Sequence, residues 1–456
     1  MTTILQKPKA PALQIPPKVY DESPFRAQNN MLRIYFNQLD NIIGQLVSTI
    51  YSGVPITFPN NAIDAFGRLV TSQPYTLFDS QNRNDIDPRF DTSTSTGGST
   101  SFLSNESSVQ LSVTTASGSE VVRQTFRNMA YQPGKGLTFL ATFVMNTAKT
   151  NLRQRVGYFN TSNGAFLQQD NATVSFVLRS SSLPTPGTPS DIRTVNQADW
   201  NVDTMDGNGP SGRVLDLSKN QILYMDFEWL GTGDVRCGFF VDGQPQICHV
   251  FHNDNTQTAV YMQTAILPVR YEITNTGVTA SASSMKQVCS TVINMGGYEQ
   301  MTIDHSARRT TQLATIGTTF KPLVSIRLAS TALGSVVLPN RVMVLPVTSQ
   351  NYEVALVKNP TLTGAVWAAV PSDSNVEYDV TATAATGGTI VQSDYVTASG
   401  SGGANVLLAS TEYNWDMQLG CSLTNVSDIL TIQIRTVSGA TTGDAFGTLT
   451  FFDLTK

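Results

Sequence analysis

The chain has 456 residues, only 14% of them are charged, and the formal net charge at pH 7 is −5. Because the chain has no net positive charge to attract phosphate groups, it is not expected to bind nucleic acid. It contains no run of about 18 apolar residues that would predict a membrane span, and its N-terminus lacks the apolar region of a secretory signal. The length predicts two or three domains, and the weakly charged surface suits subunit contacts and neutral or glycan partners.

The first 52 residues predict an attachment region. Residues 1–22 are rich in proline and are expected to form an extended anchoring arm. Residues 23–52 predict an α-helix, with Ser23 as the N-cap and Gly53 at its end.

The apolar residues of this helix follow a heptad, with alternating spacings of four and three. The seam consists of Leu32, Phe36, Leu39, Ile43, Leu46 and Ile50. The period does not separate self-association from docking on the chain's own sheet, so both interpretations stay open. The seam residue types fit two or three strands, and bulky Phe36 favours more than two.

From about residue 56 the pattern changes to short strands separated by turns. Side chains alternate between apolar and polar over Leu137–Met145 and Leu223–Trp229. Asn163-Gly164 is a hairpin signal, and Asp242-Gly243 predicts a two-residue hairpin. A further strand is expected over Tyr261–Ile273.

This pattern predicts a mainly β fold in three parts. A jelly-roll-like or concanavalin-like antiparallel β-sandwich is expected over residues 53–305. A linker with bridging strands is expected over residues 306–345, and a smaller C-terminal β-sandwich over residues 346–456.

The cysteines form no CxxC pair. A two-residue turn at Asp242-Gly243 would place Cys237 opposite Cys248, within reach of a disulfide. Buried free thiols are the preferred interpretation, because the protein is expected to assemble in a reducing cytoplasm.

Sequence motifs give little support for a metal or a cofactor, and none is expected. His249 and His252 would point to opposite faces of a strand, which argues against a shared metal ion. Pro133–Gly136 lacks the flanking residues of a phosphate-binding loop and predicts a turn. Asp203–Gly209 resembles a calcium loop, but Met205 stands where an oxygen ligand is required, so an Asx-rich loop is the preferred interpretation.

Asp226 and Glu228 form the strongest catalytic hypothesis. Two positions apart on one strand, their carboxylates would share a face at about 6–7 Å, between the separations typical of retaining and inverting glycosidases. No third acidic residue follows in this alternation, because the next position on the same face is Leu230. Pairing with Arg236 or Arg270 would make the two acids a structural pair, and catalysis is therefore not expected.

Several segments carry a resemblance to a known family. They include Phe66-Gly-Arg-Leu, Tyr131-Gln-Pro-Gly-Lys, Arg153-Gln-Arg-Val-Gly-Tyr-Phe, Phe227-Glu-Trp-Leu-Gly, Leu267-Pro-Val-Arg-Tyr-Glu-Ile and the N-terminal Asn30-Met-Leu-Arg-Ile-Tyr-Phe-Asn-Gln-Leu. Over about residues 25–300 the chain resembles fibre-like virion structural proteins of marine tailed phages, especially cyanophages. The resemblance implies a virion structural protein and transfers no functional residues.

We therefore expect a non-enzymatic virion protein, a homotrimeric tail fibre or spike. Residues 1–52 would attach it to other virion proteins, and its distal β domains would contact a host-surface glycan or protein. A capsid-decorating or baseplate-joining protein is the alternative, and a glycan depolymerase using Asp226 and Glu228 is the second alternative.

We predict that Ile43→Asp weakens self-association of the full-length chain at least about tenfold, because it places a charge inside the apolar seam. Multi-angle light scattering across a dilution series measures the effect. Gln45→Asp lies off the seam and is the matched control. A monomeric wild-type protein, or an Ile43→Asp protein of unchanged mass, would contradict the oligomerising helix.

Overall fold

The computed structural model describes residues 29–37, 73–299, 302–370, 373–397, 405–409, 415–437, 439 and 442–455. The predicted arm, residues 1–22, lies outside these ranges. So do four of the six seam residues, namely Leu39, Ile43, Leu46 and Ile50.

The described part of the predicted helix is α1, residues 29–37. Leu32 and Phe36 lie one turn apart on it. Leu32 is half-buried, and Phe36 is 56% exposed. Within the described residues, no helix has the length and apolar character needed to cross a membrane.

The larger β-sandwich contains fifteen strands. In chain order they are β1 (Tyr75–Gln81), β2 (Phe90–Ser95), β3 (Ser99–Leu103), β4 (Ser108–Val113), β5 (Glu120–Thr125), β6 (Leu137–Val144), β7 (Leu152–Phe159), β8 (Gly164–Asp170), β9 (Thr173–Ser180), β10 (Ser190–Asn196), β11 (Gln221–Phe227), β12 (Val235–Val241), β13 (Gln244–Phe251), β14 (Val269–Asn275) and β15 (Ser283–Asn294).

These strands form two antiparallel sheets around one core. The first sheet has the order β13-β12-β11-β6-β15-β4-β3, with β1 also paired to β15, and the second has the order β10-β9-β8-β7-β14-β5-β2. The inner faces bury large side chains that include Phe139, Phe143, Tyr158, Phe176, Phe227 and Tyr271. The predicted mainly β, antiparallel sandwich is confirmed.

Both predicted hairpins are present. Asp242 and Gly243 have φ of 52° and 74° and connect β12 to β13 as a two-residue turn, with Val241 opposite Gln244. The hairpin before Gly164 has a four-residue loop over residues 160–163, because β7 ends at Phe159.

The predicted register of the two buried cysteines is wrong. A β-bulge interrupts the β12–β13 pairing, so Cys237 lies opposite His249 and Gly238 lies opposite Ile247. Cys248 is the extra residue, and its Sγ lies 3.2 Å from the Sδ of Met205. All four cysteines are free thiols, as preferred from the sequence.

The strand predicted over Tyr261–Ile273 is only partly correct, since β14 begins at Val269. The preceding segment is irregular but buries Tyr261, Met262 and Leu267 completely. Its apolar side chains therefore resemble those of a strand in the sequence, but they pack into the core from a loop.

Within the described residues, the C-terminal β-sandwich has thirteen strands. They are β16 (Asp304–Arg308), β17 (Leu313–Ile316), β18 (Lys321–Leu328), β19 (Val337–Pro346), β20 (Asn351–Lys358), β21 (Thr361–Thr363), β22 (Ala368–Ala369), β23 (Val376–Asp379), β24 (Ala384–Thr386), β25 (Thr389–Thr397), β26 (Asn405–Ala409), β27 (Ile429–Thr436) and β28 (Gly443–Asp453).

Its two main sheets have the orders β16-β28-β19-β26, with β17 also paired to β28, and β22-β23-β18-β27-β20-β25. Residues 306–345, expected as a linker with bridging strands, contribute β16 to β19 to these sheets. Leu323, Ile326 and Val342 from this segment are completely buried in the core. The segment is therefore part of the C-terminal sandwich and not a linker.

Trp415 connects the two sandwiches. It starts a short 3-10 turn of the C-terminal sandwich but packs into the core of the larger one. Its indole N–H donates to the hydroxyl of Tyr75 at 2.8 Å, and its ring meets Tyr298 edge-on at 5.0 Å. The buried side chain of Arg127 donates to its carbonyl oxygen. A buried aromatic side chain and hydrogen bonds thus stabilise the junction between the two sandwiches.

We predict that Trp415→Ala lowers the free energy of unfolding by about 3–5 kcal/mol, because it leaves a large cavity at this junction. Urea unfolding followed by near-UV circular dichroism measures the loss. Trp367→Ala is the matched control: Trp367 is half-buried under Arg327, with 4.3 Å from its ring centre to the guanidinium carbon, and should cost much less. Equal losses in both variants would contradict the role of Trp415.

Candidate functional site

Strand β11 places Asp226 on the outer face of the first sheet. Leu223, Met225 and Phe227 point into the core and are completely buried, so the residues between them face outward. In the register, Asp226 lies opposite Thr138 of β6 and opposite Arg236 of β12.

Arg236 holds the predicted acidic pair together. Its Nη1 donates to Oδ2 of Asp226 at 3.0 Å and to Oε1 of Glu228 at 2.6 Å. The hydroxyl of Thr138 donates to the other Asp226 oxygen at 3.4 Å. The structure thus brings the two predicted acids together and pairs them with Arg236, whereas Arg270 belongs to the second sheet and pairs with Glu272 at 3.0 Å.

The two carboxylates differ in their surroundings. Burial raises the pKa of Asp226, and the hydrogen bond from Arg236 opposes this rise. The hydrogen bond to Glu228 is the main reason that the pKa of Arg236 is raised. The Glu228 side chain is 51% exposed, so its carboxylate can still accept hydrogen bonds from a ligand.

Asp226 and Glu228 line an open cavity of about 420 Å³, which we call the Asp226 pocket. Its other lining residues are Tyr131, Gly134, Lys135, Gly136, Thr138, Tyr224, Leu230 and Met295. The predicted turn over Pro133–Gly136 is confirmed and forms one wall. Lys135 lies 3.6 Å from Glu299.

Tyr131 supports the rim of the pocket. Its ring packs edge-on against Trp229, with ring centres 5.6 Å apart. Its hydroxyl oxygen accepts the backbone N–H of Leu230 at 3.3 Å. Burial raises the pKa of Tyr131, so the hydroxyl stays protonated near neutral pH.

Sequence reasoning found the two acids and named Arg236 as a possible partner, but it did not place Tyr131, Leu230 or Met295 beside them. The local sequence could indicate Arg236 as the partner, because a hairpin centred on Gly231 places position 236 opposite position 226. Tyr131 and Met295 lie far away in the chain. They reach the pocket only through the pairing of β6 with β11 and β15, which no local pattern specifies.

The calcium-like loop uses its first acid for another purpose. Asp203 is buried; one of its oxygens accepts the N–H of Met205 at 2.9 Å, and the other accepts the N–H of Ser211 at 2.9 Å and the amide of Gln246 at 3.0 Å. Burial acts to raise the pKa of Asp203, but hydrogen bonds from Ser211 and Met205 outweigh it and lower the pKa. The carboxylate therefore organises the loop, and its oxygens are occupied by N–H donors.

The two neighbouring histidines have different environments. His249 is buried, whereas His252 is exposed, with its Nδ1 3.1 Å from Oδ2 of Asp234. Asp234, His252 and Asp254 form a surface group whose ligand atoms lie within 4.8 Å of one another. His249 takes no part in it. Exposed groups of this kind are common, so this group does not define a metal centre.

Comparison with known proteins gives fold-level likeness only. No protein-family model matches the chain, and no curated protein matches it. The carbohydrate recognition domain of Emp47p is 12% identical over 52% of this chain and 99% of that chain, with a TM-score of 0.30. The CBM2 module of the evolved Dit of Lactobacillus casei BL23 phage J-1 is 8% identical over 51% and 100%, with a TM-score of 0.33. The carbohydrate esterase vb_24B_21 of the Shiga toxin-encoding bacteriophage phi24B is 12% identical over 48% and 99%, with a TM-score of 0.29.

We predict a pH dependence of stability from His249. Burial lowers its pKa to about 4, and the positive charge of Arg193 acts in the same direction. In the unfolded chain the pKa returns to about 6.5, so the unfolded state binds the proton first as the pH falls. The contribution of neutral His249 to the free energy of unfolding is therefore fully present above about pH 6.5. About 3 kcal/mol of it is lost between pH 6.5 and pH 4.

Urea midpoints measured from pH 7 to pH 4 test this prediction. His249→Gln keeps a hydrogen-bond acceptor but cannot titrate, so it should lose less stability on acidification than wild type. His252→Gln changes an exposed histidine and should retain the wild-type slope. Identical slopes for His249→Gln and wild type would contradict the prediction.

Proposed function

We propose that this chain is a non-enzymatic structural protein of a tailed-phage particle, and that its larger sandwich binds a host-surface glycan in the Asp226 pocket. The particle assignment rests on the sequence resemblance over about residues 25–300. The binding assignment rests on one observation: two carboxylates are held by a shared guanidinium at an open pocket.

The chemistry of the pocket suits a sugar. Carboxylates accept hydrogen bonds from hydroxyl groups, and Arg236 fixes the Asp226 and Glu228 side chains before the ligand arrives. Tyr224, which is half-buried, adds aromatic surface for the apolar face of a sugar ring. A volume of about 420 Å³ lies in the range of ordinary ligand pockets.

The shared guanidinium argues for binding without catalysis. Hydrolysis by a pair of carboxyl groups requires one to be protonated while the other is ionised. Arg236 donates to both Asp226 and Glu228, and its hydrogen bond opposes the rise that burial causes in the pKa of Asp226. The pair is thus better suited to accepting hydrogen bonds than to donating a proton.

In this proposal the other parts of the chain have structural roles. Residues 1–52 attach the chain to other virion proteins, and the heptad helix contributes to a homotrimer of a tail fibre or spike. The Trp415 junction supports a mechanical role, because a buried side chain and its hydrogen bond join the two sandwiches.

Binding of the full-length protein to immobilised host-surface polysaccharide tests the proposal. We predict that Glu228→Gln weakens binding at least about tenfold, because it removes a charged acceptor and its ion pair with Arg236. Glu106→Gln is the matched control, since Glu106 is also 51% exposed and forms a 2.6 Å ion pair with Lys286 outside the pocket. Equal binding by both variants would contradict a role for the pocket.

The same preparations test the absence of catalysis. Incubation with the polysaccharide should release no new reducing ends. Release by wild type that is lost in Asp226→Asn would instead establish the glycan depolymerase, the second alternative derived from the sequence.

A further inference from the structure

Leu230 is held at the rim of the Asp226 pocket in an unusual backbone conformation. Its φ is +35°, a region that side chains with a Cβ rarely occupy. The side chain is nevertheless 64% exposed, so it is not placed there to fill the core. The Tyr131 hydroxyl accepts its N–H, and the carbonyl of Trp229 accepts the N–H of Thr232 at 2.9 Å and of Gly233 at 2.8 Å. The turn thus presents an apolar side chain to solvent at the pocket mouth.

Met295 provides a second exposed apolar side chain in the same pocket. It follows the end of β15, and its backbone N–H donates to the carbonyl of Gly136 at 2.8 Å in the pocket wall. We call Leu230 and Met295 the apolar rim. The pocket therefore combines hydrogen-bond acceptors on Asp226 and Glu228 with an apolar surface at its mouth.

The charge of the pocket excludes one class of sugar. Asp226 and Glu228 together carry two negative charges against the single positive charge of Arg236. The positive charge of Lys135 is offset by Glu299. The site therefore keeps one negative charge in excess, which repels uronic and sialic acids.

We propose that the ligand of the Asp226 pocket is an uncharged N-acetylhexosamine, an inference that rests on the proposed glycan-binding function. The acetamido N–H is a donor for the exposed carboxylate of Glu228, and the acetamido methyl group is an apolar surface for Leu230 and Met295. The ring hydroxyls are left to donate to Asp226. A plain hexose has the hydroxyl donors but lacks the acetamido methyl group that would contact the apolar rim.

Isothermal titration of the full-length protein with methyl glycosides tests this ligand class. The probes are N-acetylglucosamine and N-acetylgalactosamine, their parents glucose and galactose, and glucuronic acid. We expect at least one N-acetylated sugar to bind about fivefold or more tightly than its parent, and the glucuronide to bind most weakly.

Leu230→Asn is the diagnostic variant, because asparagine tolerates a positive φ and removes only the apolar surface. It should abolish the N-acetyl preference, so that the N-acetylated sugar binds no more tightly than its parent. Val278→Asn is the matched control: Val278 is 69% exposed and does not line the pocket. It should change neither affinity.

Two contrary results have different meanings. Equal affinity for N-acetylated and parent sugars, unchanged in Leu230→Asn, would overturn the N-acetylhexosamine assignment and leave glycan binding intact. Failure of every sugar to bind, together with polysaccharide binding unaffected by Glu228→Gln, would overturn the proposed function as well.

Discussion

The strict alternation of side chains along β11 is the constraint on which the candidate site depends. Leu223, Met225 and Phe227 are completely buried, and their packing fixes the rotation of the strand. A shift of one residue would move these side chains to the solvent face and bury Asp226 without a partner. The free energy of burying the core therefore also determines where the two carboxylates stand.

Pairing of β11 with its neighbours then determines the chemistry of the pocket. Antiparallel register places Arg236 on one side of Asp226 and Thr138 on the other. The guanidinium compensates the partly buried carboxylate of Asp226, whose burial without a partner would be costly. Because Arg236 also reaches Glu228, the charges form one preorganised network and not two independent acids.

Local patterns in the sequence predicted much of the fold. The alternation over Leu223–Trp229, the turn at Asp242-Gly243 and the mainly β class followed from period and turn chemistry. The start of β14 could not be predicted, because the buried Tyr261 and Met262 resemble strand residues while lying in a loop. The bulge at Cys248 was missed since it is a property of strand pairing and not of composition.

The candidate site was predictable only in part for the same reason. Asp226 and Glu228 are neighbours in sequence and their shared face follows from strand geometry. Tyr131 and Met295 join them through contacts that depend on sheet order, and the positive φ of Leu230 leaves no signature in the sequence. Which partner the heptad seam meets remains a prediction, because most of its residues lie outside the described ranges.

A crystal structure of the protein with a methyl N-acetylhexosaminide would show whether the Asp226 pocket binds an intact sugar. We expect an uncleaved sugar within hydrogen-bond distance of Glu228, with its acetamido methyl group against Leu230. An empty pocket at saturating ligand, or a sugar bound at another site of the protein, would contradict sugar binding by the Asp226 pocket.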